Sequence, residues 1–137
     1  MASSTIELQV VTPARQVFSQ PVDEVVLPGA EGYLGVLPGH APLLTALDAG
    51  VLRWRSGTRR GAVAISAGFV EVLRERVSVL AETAERAEEI DVDRARESKR
   101  RAESDLKDRA ADDRALRLAE ARLKRALARI EAASRTE

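Results

Sequence analysis

The chain has 137 residues, of which 45% are apolar, so it is long enough for one ordinary domain or two small ones, each with a core. Its 22 basic and 22 acidic residues cancel, which removes the net field that favours nucleic acid or an acidic membrane surface. The absence of cysteine excludes disulfides and thiolate metal sites, and a single histidine argues against zinc.

The first residues, MASSTIELQVVTP, lack the basic region and apolar run of a signal peptide. No uncharged apolar stretch is long enough to cross a bilayer. We therefore expect a soluble protein in a reducing compartment.

Residues 1–84 have the pattern of short β-strands. In TIELQVV, Ile6, Leu8 and Val10 alternate with polar residues, which is the period of a half-buried strand. The segments ARQVFS, DEVVLPG, VLRWR, GAVAISAG and FVEVLRERVSVLAE follow, and the last is long enough for two strands. With the stretch at 32–43 this makes roughly eight strands, and predicts an antiparallel sandwich or barrel.

The segment VLRWR also predicts its own two faces. Leu52 and Trp54 point one way, and Arg53 and Arg55 the other. The following Ser56-Gly57 predicts a hairpin turn.

The stretch GYLGVLPGHAPL, residues 32–43, combines glycines, prolines and the histidine. A phosphate loop requires a lysine after its last glycine, and a dinucleotide loop requires G-x-G-x-x-G; both patterns are absent. His40 has no nucleophile motif to serve. We interpret the stretch as a loop between strands, with His40 bonded within a turn or facing a partner, and with Leu34, Val36 and Leu37 filling the core.

Composition changes near Ala84. All eight glycines, all five prolines and the four aromatic residues precede it, whereas residues 85–137 are mostly strong helix formers. Two helices are predicted, with Asp91 as the first N-cap and Asp112 or Asp113 as the second. A turn is expected at 108–111, although one continuous helix remains open. Each predicted helix has an apolar stripe that includes alanine. The first stripe is Val92, Ala95, Ala102 and Leu106, and the second is Leu116, Ala119, Leu123, Leu127 and Ile130.

Charge divides the helical part. Residues 82–113 hold twelve acids and eight bases, and residues 114–137 hold seven bases and three acids. An antiparallel hairpin would set these helices side by side with favourable pairs, each worth only ~0–1 kcal/mol. Because alanine seams bury little area, we expect the hairpin to be modestly held on its sandwich and detachable.

Two charged clusters were considered as sites. One is an acidic cluster at the start of the helical part, comprising Glu85, Glu88, Glu89, Asp91 and Asp93. It could bind a metal ion or be a solvated helix start, and we favour the helix start. The other is a basic face without interleaved aromatics, which is a poor match to nucleic-acid binding; it comprises Arg122, Lys124, Arg125 and Arg129.

Two motifs, in this order and spacing, carry a resemblance to a known family: LGVLPGHAPL at 34–43 and GFVEV at 68–72. The chain resembles the epsilon subunit of the F-type ATP synthase over nearly its whole length. The resemblance implies a β-sandwich followed by a helical hairpin, here 1–84 and 85–137. It also implies a non-catalytic rotor subunit that binds gamma and the c-ring, is peripheral to the membrane, and inhibits ATP hydrolysis when its helices extend toward alpha and beta.

The resemblance names site residues as well. IDVDRA at 90–95 is similar to the I-D-x-x-R-A stretch with which some bacterial members bind ATP. The resemblance therefore implies ATP as a regulatory ligand, and it implies no required cofactor. The implied residues are Ile90, Asp91, Arg94 and Ala95, with Arg125 and Arg129 of the last helix. The alternative is that Asp91 only caps a helix and no nucleotide binds.

The c-ring contact that the resemblance implies matches Glu31, Tyr33 and His40 here, with Tyr33 where some relatives carry an acidic residue. The implied location is the cytoplasmic face of the bacterial inner membrane, or alternatively the plastid thylakoid. Two other functions stay open: an ATP-sensing module, and a free-standing sandwich adaptor with a coiled-coil tail.

Overall fold

A computed structural model describes residues 5–134. Ten strands are followed by a short 3-10 helix, Ala87–Glu89, and by two α-helices. The strands are β1 Ile6–Val11, β2 Gln16–Val22, β3 Glu24–Gly29, β4 Gly32–Val36, β5 Leu43–Leu47, β6 Gly50–Ser56, β7 Arg59–Ile65, β8 Gly68–Val72, β9 Arg76–Ala81 and β10 Ala84–Arg86. The helices are α1 Val92–Leu106 and α2 Asp113–Ser134.

The strands form the predicted sandwich. One layer runs β10-β7-β6-β3 with β4 added beside β3, and the other runs β5-β8-β9-β1-β2. The layers join where Gly29 pairs with Leu47, the one residue pair between β3 and β5. On the opposite side the two layers meet through Phe18 of β2 and Trp54 of β6, whose ring centroids are 5.2 Å apart.

Alternating residues of both layers fill the core, as the period of two requires. Ile6, Leu8 and Val10 of β1 are fully buried, and Leu52 and Trp54 point into the same core. The prediction that Leu37 lies in the core is wrong, because its side chain is more than half exposed. The strand ends at Val36, and Leu37 opens a turn in which its carbonyl accepts from the His40 N–H at 3.2 Å.

The sandwich departs from the sequence-based expectation in two further ways. Residues 5–134 contain ten strands before the helices instead of about eight, because the sequence pattern does not mark β5 or the three-residue β10. The pairing of β1 with β9 is parallel, whereas the other pairings are antiparallel. Strand β1 therefore lies between β2 and β9, and connects the start of the chain to residues seventy positions later.

Both helices begin where a side chain caps them. Asp91 accepts a hydrogen bond from the Arg94 N–H at 3.1 Å, and Asp112 accepts from the Ala115 N–H at 2.8 Å. The intervening residues form the expected turn, so the helices are separate and form a hairpin. Within the described residues, no helix has the length and apolar character needed to cross a membrane.

Alanines form the seams of the hairpin. Ala95 and Ala102 of α1, and Ala119 and Ala126 of α2, are each at most 1% exposed and recur every seven residues. The apolar cluster between α2 and the sandwich is also small: Val51, Ala62, Ala64, Ala87, Ala128 and Ala132, with Ile90 packed against it. We call this cluster the hairpin contact.

Candidate functional site

An open cleft of about 520 Å³ lies between the two helices and is lined mainly by arginines. We call it the arginine cleft. Its lining residues are Ser98, Arg100, Arg101, Ser104, Asp105, Arg122, Arg125 and Arg129. Ser98, Arg101 and Asp105 follow the helical spacing of three and four along α1, and the last three arginines do so along α2. The antiparallel hairpin thus brings one stripe from each helix together.

Four of these arginines already have carboxylate partners. Arg122 is 3.7 Å from Asp105, and Arg129 Nε is 2.6 Å from Glu85 of β10. Arg101 pairs with Glu97 at 3.2 Å. Arg100 donates a hydrogen bond to the same carboxylate, and this bond is the main cause that lowers the pKa of Glu97. Among residues 5–134, Arg125 has no carboxylate partner, so its guanidinium is available to an anion.

The structure brings only part of the predicted nucleotide site together. Arg125 and Arg129 line the arginine cleft, and Arg94 lies on the stripe one turn before Ser98. Asp91 is engaged as the helix cap. Ile90 packs against the hairpin contact and Ala95 is 1% exposed, so neither presents the open apolar flank expected for an adenine.

Sequence reasoning missed several cleft residues. Ser98, Arg101 and Ser104 continue the spacing from Arg94 along α1, and that periodicity was available in the sequence. The partner of Arg129 was not available, since Glu85 lies on a strand whose position depends on pairing with β7.

The acidic residues at the start of the helical part face different partners rather than one site. Glu85 pairs with Arg129, and Asp91 caps α1. Glu89 accepts from Arg86 at 2.9 Å and from Arg15 at 3.1 Å. The hydrogen bond from Arg86 is the main cause that lowers the pKa of Glu89. Within residues 5–134 no cluster of side chains suits a metal ion.

The stretch at 32–43 has the conformation of a strand and turn, not of a phosphate loop. Glu31 lies in the turn before β4, and His40 lies beyond the other end of that strand. The span of β4 is about 17 Å at ~3.3 Å per residue. The His40 ring Nδ1 donates to the Ala41 carbonyl at 2.7 Å. Tyr33 accepts from the Val51 N–H at 3.3 Å, beside the hairpin contact.

An apolar face covers the outer side of β5, β8 and β9. Leu44, Phe69 and Leu80 are 70%, 57% and 61% exposed. Phe69 pairs in register with Ala46 on one side and with Leu80 on the other, so the exposed residues are neighbours. Contiguous exposed apolar side chains of this kind mark an interaction surface. We call it the outer apolar face.

Comparison with known proteins matches both halves of the chain. Residues 5–87 match the family described as ATP synthase, delta/epsilon chain, beta-sandwich domain, and residues 88–134 match its long alpha-helix domain. The ATP synthase epsilon chain of Desulforamulus reducens is 50% identical over 131 residues, covering 96% of this chain and 98% of that one. The epsilon chain of Dehalococcoides mccartyi strain BAV1 is 48% identical over 130 residues, covering 95% and 93%.

A solved structure supports the fold. A chain of the mitochondrial ATP synthase of Euglena gracilis, in an assembly of OSCP, F1 and c-ring, superposes with a TM-score of 0.82 at 24% identity, over 96% of this chain and 82% of that one. The family patterns span both the sandwich and the hairpin, and the relatives align over nearly their whole length. The chain therefore belongs to the ATP synthase delta/epsilon family.

Proposed function

We propose that this chain is a non-catalytic central-stalk subunit of an F-type ATP synthase. Its sandwich joins gamma to the c-ring for proton-coupled ATP synthesis, and its hairpin restrains ATP hydrolysis. The observation that carries the proposal is the match of both halves to the family, together with epsilon chains about half identical over the full length. The complex operates at the cytoplasmic face of a bacterial inner membrane, with the plastid thylakoid as the alternative.

The outer apolar face supports the contact with gamma. Three large apolar side chains on one sheet surface are exposed in the isolated chain, and a partner that covers them gains the free energy of removing them from water. Hot spots of interfaces are commonly aromatic residues at the centre of such a patch. Phe69 has this position, between Ala46 and Leu80.

Binding of purified gamma to the full chain tests this assignment. Phe69→Asp is expected to weaken the complex at least tenfold, because it introduces a charge at the centre of the apolar surface. Leu118→Asp is the matched control, since Leu118 is similarly exposed but lies on α2. Unchanged binding by Phe69→Asp would remove gamma from this face and favour the free-standing adaptor.

The c-ring contact is proposed for the β3–β4 turn and the turn at His40. Glu31 is exposed at the first turn, and Tyr33 is exposed on the strand that follows. Because Glu31 and His40 lie at opposite ends of β4, the contact would be extended rather than a compact patch. In reconstituted vesicles Glu31→Lys should reduce proton-coupled ATP synthesis, whereas Glu103→Lys on exposed α1 should not.

ATP is proposed as a regulatory ligand of the arginine cleft. Arg125 offers a guanidinium without a carboxylate partner in the described part of the chain, and Arg129 would exchange Glu85 for phosphate. Calorimetry of the full chain with ATP should give a Kd that rises about tenfold or more in Arg125→Ala, since charge-assisted hydrogen bonds contribute ~1.5–3 kcal/mol. Arg74→Ala, an exposed arginine of the sandwich, is the control. Absence of binding at millimolar ATP would discard the ligand.

The regulatory part of the proposal rests on a hairpin that leaves the sandwich and reaches alpha and beta. Its alanine seams and the small hairpin contact hold it weakly enough for that. Deleting 88–137 should leave a sandwich that assembles and melts cooperatively, because that part has its own core. The assembled complex should then hydrolyse ATP faster; an unchanged rate would refute the restraint.

A further inference from the structure

One charged side chain near the hairpin contact, Arg53, has an incomplete set of hydrogen bonds. Arg53 lies on β6 between Leu52 and Trp54, so the period of the strand directs it away from the core and toward α2. Its side chain is 29% exposed, and one terminal nitrogen is 3.3 Å from Glu131 of α2. Its Nε is buried and has no hydrogen-bond partner within residues 5–134.

Such a guanidinium opposes the contact that buries it. A buried N–H without a partner loses its hydrogen bond to water, which lowers the docking equilibrium constant by about fivefold or more. Glu131 offsets only part of this loss, because its side chain is 47% exposed and an ion pair in contact with water changes such a constant by at most about fivefold. The surrounding apolar cluster offsets little as well, since it is mostly alanine.

The other ion pairs between α2 and the sandwich do not share this property. Lys124 and Asp48 are 3.6 Å apart, and both side chains are more than half exposed, so water replaces the pair readily. Arg129 of the arginine cleft forms an ion pair with Glu85 at 2.6 Å. Within residues 5–134, Arg53 alone among these groups has a buried nitrogen without a hydrogen-bond partner.

We propose that Arg53 is a built-in release element, whose incomplete solvation under α2 keeps the hairpin only marginally docked on the sandwich. Glu131 offsets part of that penalty and so favours the docked hairpin. When α2 lifts, Arg53 regains water on all its nitrogens. The inference deepens the proposed function, because it rests on a hairpin that leaves the sandwich, and it names the residue that sets how easily it does so.

Distances between two spin labels measure the docked fraction in the full chain. The chain has no cysteine, so labels can be attached at Glu75→Cys on the sandwich and Glu103→Cys on α1, both exposed. The docked fraction is followed against urea, so that a shifted midpoint reports the change even where nearly all hairpins are docked. Melting of each variant by circular dichroism establishes that the sandwich is folded.

Arg53→Met keeps an unbranched side chain and removes the charge and the unpartnered nitrogen. We expect the docking equilibrium constant to rise about fivefold or more, since roughly 1 kcal/mol or more of desolvation penalty is relieved. Arg55→Met is the matched control on the same strand: Arg55 faces the same outward side but pairs with Asp23 at 3.5 Å. This control should leave docking unchanged.

Glu131→Gln has the opposite expected effect. It removes the counter-charge and leaves Arg53 buried, so the docking constant should fall up to about fivefold. The double variant Arg53→Met with Glu131→Gln should dock more tightly than the unmodified chain. A fall in docking for Arg53→Met, or an equal rise for Arg55→Met, would overturn the inference.

Failure of the inference and of the proposed function are distinguishable. If Arg53→Met strengthens docking but leaves ATP hydrolysis by the assembled complex unchanged, Arg53 acts as inferred and the hairpin does not regulate hydrolysis. If the truncated chain accelerates hydrolysis while Arg53→Met does not strengthen docking, the regulation holds and the inference about Arg53 is wrong.

Discussion

The sandwich and the hairpin solve the same packing problem with different side chains. The sandwich buries large branched residues from two layers, such as Leu8, Leu27 and Ile65, around a core that the hairpin does not enter. The hairpin buries alanines, and exposes much of Leu118 and Leu127 on α2. Since buried area sets most of the apolar stabilisation, we expect the sandwich to be the more stable half and the hairpin to separate from it more easily.

The largest expected effect comes from removing a large core side chain. Leu27 is fully buried within the sandwich, and Leu27→Ala should lower the free energy of unfolding by about 2–5 kcal/mol, because it removes apolar contacts and leaves a cavity. Urea unfolding of the chain truncated after residue 87 measures it. A loss below 1 kcal/mol would mean that this core contributes little to the stability of the sandwich.

An intermediate effect is expected in the alanine seam of the hairpin. Ala102 is fully buried, and Ala102→Leu should destabilise the hairpin by about 1–3 kcal/mol through overpacking. Hydrogen exchange should accelerate in both helices while the amides of the sandwich stay protected. Equal acceleration in the strands would show that the two regions unfold together, and would break the comparison.

The smallest expected effect concerns the junction of the two regions. The pKa of Glu89 is lowered, so its bonds to Arg86 and Arg15 stabilise the fold fully at pH values above its ordinary pKa of 4.5. This stabilisation is lost as the pH falls through the lowered pKa. These partners are partly exposed, so we expect at most ~1 kcal/mol. Glu89→Gln should flatten the decline of stability below pH 4.5; an unchanged slope would exclude Glu89 as its source.

Local patterns in the sequence predict much of this architecture. Alternation in TIELQVV gives the buried side of β1, the loss of glycine and proline near Ala84 announces the helical part, and Asp91 caps α1 as expected. The boundary itself is less sharp, since β10 starts at Ala84 and the family patterns meet between residues 87 and 88.

What the sequence did not predict depends on partners distant in the chain. The parallel pairing of β1 with β9 and the contact of Arg129 with Glu85 are set by strand order, which leaves no local signal. The same holds for Arg53: its outward direction follows from alternation, but its burial depends on where α2 lies. The prediction that Leu37 is buried failed because a strand pattern does not mark the residue at which the strand ends.

The parallel pairing of β1 with β9 also orders events during synthesis. The first strand cannot complete its layer until residues 76–81 have emerged from the ribosome, so the nascent sandwich waits with an open edge through most of translation. The helices follow the strands in the chain and meet a surface that has already formed. The hairpin is thus added to a folded sandwich, and we expect an error in its folding to leave the sandwich intact.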